Sequence, residues 1–229
     1  ATSLTSIAIP DTVTSIGDRA FVFATSLNSI TFGTSSQLNT IEDYTFYRTD
    51  SFATIIIPDT VTTIGNGVFM KSALNSITFG ASSQLNTIGD HAFKEATSLT
   101  SIAIPDSVTS IGNQAFYGTT SLNSITFGVG SQLASISDRV FWDASALTSI
   151  TIPDTVTTIG SNAFMQATAL NSITFGAGSL LNTIGSNAFN RAIALTTIAI
   201  PNTVTSIGTN AFINTTLLTT VSLTEDLTI

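Results

Sequence analysis

The chain has no cysteine and little charge: Asp, Glu, Lys and Arg make up 9% of its 229 residues, where about 25% is usual. Without cysteine there can be no disulfide framework and no thiolate metal site, although the redox compartment stays open. Histidine and tryptophan occur once each, as His91 and Trp142. No apolar run approaches the ~18 residues of a membrane-spanning helix. Fourteen acidic against six basic residues leave a net charge of −8, which argues against nucleic acid or an anionic membrane as partner. Disorder is excluded from the other side. Hydrophobic residues reach 43% and mean hydropathy is +0.42, whereas disordered chains combine low hydrophobicity with high charge. The composition predicts a folded, soluble chain.

What is abundant is repetition. A unit begins at Leu4, Leu27, Phe52, Leu74, Leu99, Leu122, Leu147, Leu170 and Leu195, and a truncated tenth begins at Leu218. Unit lengths of 22–25 residues alternate short and long, so the true period is a pair of units, about 48 residues. Short units read LTSIAIPDTVTSIGDRAF (Leu4–Phe21), and long units read LNSITFGTSSQLNTIEDYTF (Leu27–Phe46). The first unit has seven apolar positions: Leu4, Ile7, Ile9, Val13, Ile16, Ala20 and Phe21. Period-two, β-branched Ile7–Ile9 predicts a short strand, ended by Pro10 in short units and by a glycine such as Gly33 in long ones. Val13–Ile16 predicts a second extended piece, and the segment after Gly17 a short helical or 3₁₀ turn. One unit cannot bury its own apolar face, so stacked neighbours must form a continuous core. Parallel strands ~4.8 Å apart give a rod roughly 45 Å long. The chain is thus read as a single solenoid over residues 1–229, with nine full units.

The motif L-x-x-I-x-I-P-D-T-V-T-x-I-G-x-x-A-F resembles the BspA-like, treponemal-type leucine-rich repeat, and the resemblance covers essentially the whole chain. It implies a β-rich leucine-rich-repeat solenoid, its parallel strands stacked in a right-handed coil. It further implies bacterial or protist proteins of the cell surface or extracellular space that adhere to host or matrix proteins, and no enzyme activity. Fold alone does not fix adhesion. One departure stands out: the family often carries cysteine a few residues after the repeat phenylalanine, where this chain has Ala24, Thr49, Ala96, Thr119 and Ala144.

Comparing the units with one another separates constant from variable positions. Outward positions of the first strand are small and uncharged (Ser6/Ala8, Ser29/Thr31, Ser101/Ala103, Ser149/Thr151), Ile56 excepted. The pairs after each repeat phenylalanine all differ: Tyr47-Arg48, Met70-Lys71, Lys94-Glu95, Tyr117-Gly118, Trp142-Asp143, Met165-Gln166 and Asn190-Arg191 among them. Positions just before the phenylalanine vary too. All six Lys and Arg lie within two residues of a repeat phenylalanine, as do His91, Trp142, both Met and all three Tyr. Recurrence at one point of a stacked coil places these side chains along one edge of the rod. Loops drift more freely than strands, and that accounts for part of the contrast. Yet the edge residues are the types that dominate binding hot spots. Tyr47, Arg48, Met70, Lys71, Lys94, Tyr117, Trp142, Met165 and Arg191 are therefore the candidate recognition residues, for a protein or glycan ligand.

Other readings rest on other positions. Regular Ser/Thr ladders suit a water-ordering, ice-binding surface and equally suit cross-strand Thr pairs on a solvated sheet. A spacer or filament segment would leave the edge without a partner. Both ends of the sequence lack a polar cap, which predicts a piece of a longer chain or end-to-end self-association; Glu225 and Asp226 would blunt the last edge. Asp11, Asp59, Asp106 and Asp154 recur every second unit, about 10 Å apart by strand spacing, too far to share one calcium ion. Their place after proline predicts Asx-type turns. For catalysis, His91 is the only histidine, and no nucleophile elbow, phosphate loop or zinc motif occurs. No metal, cofactor or catalytic residue is assigned.

Overall fold

The computed structural model describes residues 2–224; Glu225 and Asp226 lie outside the described residues. Each of the first eight repeats forms one coil with a four-residue first strand (Ser6–Ile9 in coil 1, Ser29–Phe32 in coil 2) and a two-residue second strand (Ser15–Ile16, Thr40–Ile41), and the ninth has a five-residue first strand, Thr197–Pro201. All strand pairs are parallel, with equivalent repeat positions opposite one another, as in Ser101↔Ser124 and Ile102↔Ile125. Register follows from burial. In Ser101–Ile104 the two isoleucines point inward and Ser101 and Ala103 outward, so a one-residue slip would put apolar side chains in water.

The seven apolar positions are the core. In coil 5, Leu99, Ile102, Ile104, Val108, Ile111, Ala115 and Phe116 are all buried. The repeat phenylalanines run from Phe21 to Phe212 as a continuous stack, ring centroids 5.0–5.6 Å apart and planes within 20° of parallel. This offset-stacked geometry is favourable for aromatic quadrupoles.

The third side of each coil is not helical, contrary to the expectation of short helical or 3₁₀ turns. Two residues per coil, one on each side of the phenylalanine, have φ between +53° and +69°: Arg19 and Phe23 in coil 1, Gln114 and Gly118 in coil 5. A helix needs consecutive negative φ, and these residues interrupt it. The chain instead makes successive turns (Ala20 N–H to Gly17 O, Val22 to Arg19, Ala24 to Phe21). Alternate amides then donate across to the next coil, as Arg19, Phe21 and Phe23 do to Asp43, Thr45 and Tyr47. Turns therefore stack into a ladder of their own.

A glycine after the second strand brings successive coils into close contact. Gly112 N–H donates to Ile88 O at 2.8 Å and Gly160 to Ile136 at 2.7 Å. In coil 6 the position is Ser137, whose hydroxyl bonds the Ile111 carbonyl. At that junction the second-strand sheet divides, five strands on one side and four on the other. A Cβ on Gly112 would lie 2.4 Å from Asp90 N and 2.6 Å from Gly89 C, whereas one on Gly17, in the first coil, meets nothing within 4 Å. Gly112→Ala is expected to cost about 1–3 kcal/mol by overpacking and Gly17→Ala almost nothing. Equal shifts in chemical denaturation would refute the close approach.

The proline-linked aspartates do not form Asx turns. Those turns are closed by backbone bonds such as Val13 N–H to Pro10 O and Val61 N–H to Pro58 O. Each carboxylate instead lies across to the next coil: a Cβ on Gly33, Gly80, Gly128 or Gly176 would fall 1.8–2.1 Å from Oδ1 of Asp11, Asp59, Asp106 or Asp154. The glycine ending each long-coil strand is therefore the seat of the preceding aspartate.

Short and long coils also join unequally. A short coil pairs with the following long coil over all four first-strand residues, as Thr54–Ile57 does with Ser76–Phe79. A long coil meets the next short one through at most one bridge, Ser76↔Ser101; the other described junctions of this kind open the first-strand sheet. What spans them is a hydroxyl clasp: Thr60 donates to Ser36 O (3.2 Å) and Leu38 O (2.7 Å), and Thr155 repeats this on Ser131 and Leu133.

Candidate recognition face

Turn stacking positions the variable side chains. The residue after each repeat phenylalanine projects from the turn side, and the next residue takes the positive φ. Seven of the nine candidates, Tyr47, Met70, Lys71, Lys94, Tyr117, Trp142 and Met165, are half-buried, and Arg48 and Arg191 are exposed. They occupy one side of the molecule, neither sealed between coils nor spread around the circumference.

Two groups form. At the N-terminal end, Phe23 meets Tyr47 edge-on at 5.5 Å and Arg48 lies 5.9 Å from both rings, while Tyr44 packs against Tyr47 and carries Arg19 at 5.1 Å. In coils 4 to 7 the chain of contacts is longer. Lys94 Nζ sits 4.7 Å from the Tyr117 ring and donates to Gln114 Oε1 at 2.9 Å. Tyr117 tilts onto Trp142 at 5.5 Å, Arg139 lies 5.8 Å from that indole, and Trp142 Nε1–H donates to Gln166 Oε1 at 2.8 Å. Between the groups Lys71 pairs with Glu95 at 3.3 Å, a half-exposed surface ion pair of small energetic weight. Met70, Met165 and Arg191 share the turn side but, among the described residues, their side chains form no ion pair, hydrogen bond or ring contact. Burial and the neighbouring Lys94 hold His91 below the usual histidine range, against the opposing pull of Asp90.

Sequence reasoning placed Phe23, Glu95, Gln114, Arg139 and Gln166 on the variable edge but left them out of the candidate residues, and the structure makes them supports of this face. Alternation was the available signal, because each stands at a positive-φ position flanking a repeat phenylalanine. It also treated the first residue before that site as part of the variable edge. Asp43, Asn66, Asp90, Asn113 and Asp138 are instead a structural ladder, each side chain accepting from the next coil's backbone: Asn66 N–H to Asp43 Oδ1 at 2.7 Å, Asp90 to Asn66 at 2.8 Å, Asn113 to Asp90 at 2.6 Å, Asp138 to Asn113 at 3.1 Å. From Asp43 to Asp138 aspartate alternates with asparagine, so that along this stretch no two carboxylates are immediate neighbours.

The family is decided by a match to the BspA-type leucine-rich repeat region, six copies over residues 1–123 and 86–219. The chain belongs to the BspA-type leucine-rich repeat family. Solved leucine-rich repeat structures share its architecture. The pneumococcal vaccine antigen PcpA is 23% identical, covers 97% of this chain and superposes with a TM-score of 0.63; this chain spans 63% of that one. A leucine-rich repeat protein from Eubacterium ventriosum is 23% identical over 97% of this chain and 78% of its own, with a TM-score of 0.55. The T. pallidum leucine-rich repeat protein is 24% identical over 74% of this chain and 66% of its own, at 0.50. No curated protein matches the sequence. The BspA-type repeat is surface-associated, and no described helix is long and apolar enough to cross a membrane.

Proposed function

We propose that this BspA-type solenoid is a non-enzymatic recognition module, displayed at a cell surface or secreted, that binds a protein or glycan through its turn face. The observation that carries this reading is the kind of residue held at positive φ. Glycine, asparagine and aspartate enter that region at least cost, whereas other side chains lose roughly 1–2 kcal/mol there. Arg19, Phe23, Tyr44, Arg48, Lys71, Glu95, Gln114, Arg139, Gln166 and Arg191 all occupy it. Unselected drift would replace such residues by Gly or Asn, as at Gly67, Asn187 and Asn210. Strained residues gathered on one face point to a use for their side chains. Stacking on neighbouring coils also orders them before a partner arrives, which lowers the entropy lost on binding.

The experiment is capture from host-cell-surface and matrix extracts with the native solenoid beside a variant carrying Tyr117→Ala and Trp142→Ala. The native protein retains a partner that the variant loses. Equal capture by both would refute the assignment.

A further inference from the structure

A second surface lies away from the turn face, at the junctions where a long coil meets the next short one with few or no first-strand bonds. Three grooves follow one another along the described coils, with volumes of about 560, 340 and 380 Å³. Each lies at a long-to-short junction and repeats one lining: a half-buried phenylalanine and its glycine from the long coil, then Ile-Pro-Asp from the short one. The sets are Phe32 with Ile57-Pro58-Asp59, Phe79 with Ile104-Pro105-Asp106, and Phe127 with Ile152-Pro153-Asp154. The first also holds Ile56, a 70%-exposed isoleucine on an otherwise Ser/Thr/Ala face. Neighbouring grooves share walls, Gly80 between the first two and Phe127-Gly128 between the last two, so they form one interrupted channel along the solenoid axis.

The spacing restricts what fits. Equivalent grooves are two coils apart, about 10 Å by the strand separation. An extended ligand running along the axis must present the same group to the channel once per that distance. A polyproline II peptide does so every third residue, since three residues at about 3.1 Å advance roughly 9.3 Å per turn. Aromatic-lined grooves are the usual seats of such peptides, whose preformed helix loses little entropy on docking. Ser and Thr hydroxyls along the strands can donate to its unpaired carbonyls. Charge narrows the class further. Among the described residues, the side chains of Asp59, Asp106 and Asp154 accept no hydrogen bond and join no ion pair, and one carboxylate lies in each groove. With the chain's net charge of −8, they favour a cation at the same three-residue period.

We propose that this channel binds a cationic, proline-rich segment of a partner protein in the polyproline II conformation, lying along the solenoid axis. The contact stands independently of the turn face, so a partner can engage both.

The test is fluorescence anisotropy of the full chain with labelled peptides: four repeats of Pro-Pro-Lys, the same design with glutamate for lysine, and a lysine peptide of four-residue period built on Pro-Pro-Gly-Lys. The three-residue cationic peptide binds, and the other two bind at least tenfold more weakly. Asp106→Asn and Asp154→Asn, which break no internal hydrogen bond, each weaken it about five-fold, the worth of one unit-charge contact at 4 Å in water. Trp142→Ala leaves it unchanged, which separates this result from the fate of the turn face. Absence of binding, indifference to the peptide's period, insensitivity to both Asp→Asn changes, or tighter binding of a neutral polysaccharide than of any peptide would each overturn the proposal.

Discussion

Phe116→Ala is expected to destabilise the solenoid by about 3–5 kcal/mol, the range for truncating a buried aromatic. Phe116 is fully buried and stacked on Phe93 at 5.0 Å and Phe141 at 5.6 Å. The cavity therefore opens at both interfaces of coil 5. In a quasi-one-dimensional array stability is a sum of repeat and nearest-neighbour terms, so weakening a central pair of interfaces also uncouples the two halves. Unfolding monitored by circular dichroism should broaden or split as well as shift. Phe212, half-buried and stacked on Phe189 alone among the described rings, supplies the contrast: Phe212→Ala should cost markedly less and leave the transition sharp. Equal losses at the two positions would show that the stack is not the spine of the molecule.

Replacing Tyr117 and Trp142 together by alanine should act on binding instead. Both rings are half-buried, and their losses inside the fold are one ring–ring contact, the Lys94 and Arg139 contacts and one hydrogen bond to Gln166. The frame beneath them, Phe116 and Phe141, is untouched. Stability should change little, while affinity for the captured partner falls by about 1–4 kcal/mol, as for aromatic hot spots at the centre of an interface. A variant that loses stability and affinity in proportion would mean the rings serve the fold.

The frame could be read from the sequence because its determinants repeat. Leu99, Ile102, Ile104, Val108, Ile111, Ala115 and Phe116 have counterparts in every coil, at offsets that shift by two after the first strand in long coils, and period-two apolar residues mark the strand. The turn side was legible in position but not in conformation. Arg48, Lys71 and Glu95 are ordinary residues in a propensity argument, and only the coil-to-coil bonds from their amides to Met70, Lys94 and Tyr117 carbonyls hold them at positive φ. The paired aspartate and glycine were misread for a related reason. Asp106 contacts Gly128 across the coil boundary, and a local turn rule does not see a partner 22 residues away. The same holds for Asp43, Asn66 and Asp90, whose ladder exists only once coils stack. Unequal junctions were implicit in the alternating unit lengths, but the grooves they open depend on where Phe79 and Phe127 come to rest.

Hydroxyl-radical footprinting of the solenoid, free and bound to its captured partner, tests the recognition face most directly. It reads the Met, Trp and Tyr side chains on which the proposal rests. Binding should protect Tyr47, Met70, Tyr117, Trp142 and Met165, whether or not Ile56 and Phe79 in the channel change with them. Unchanged reactivity along the turn side, with protection confined to the first-strand face, would contradict the account.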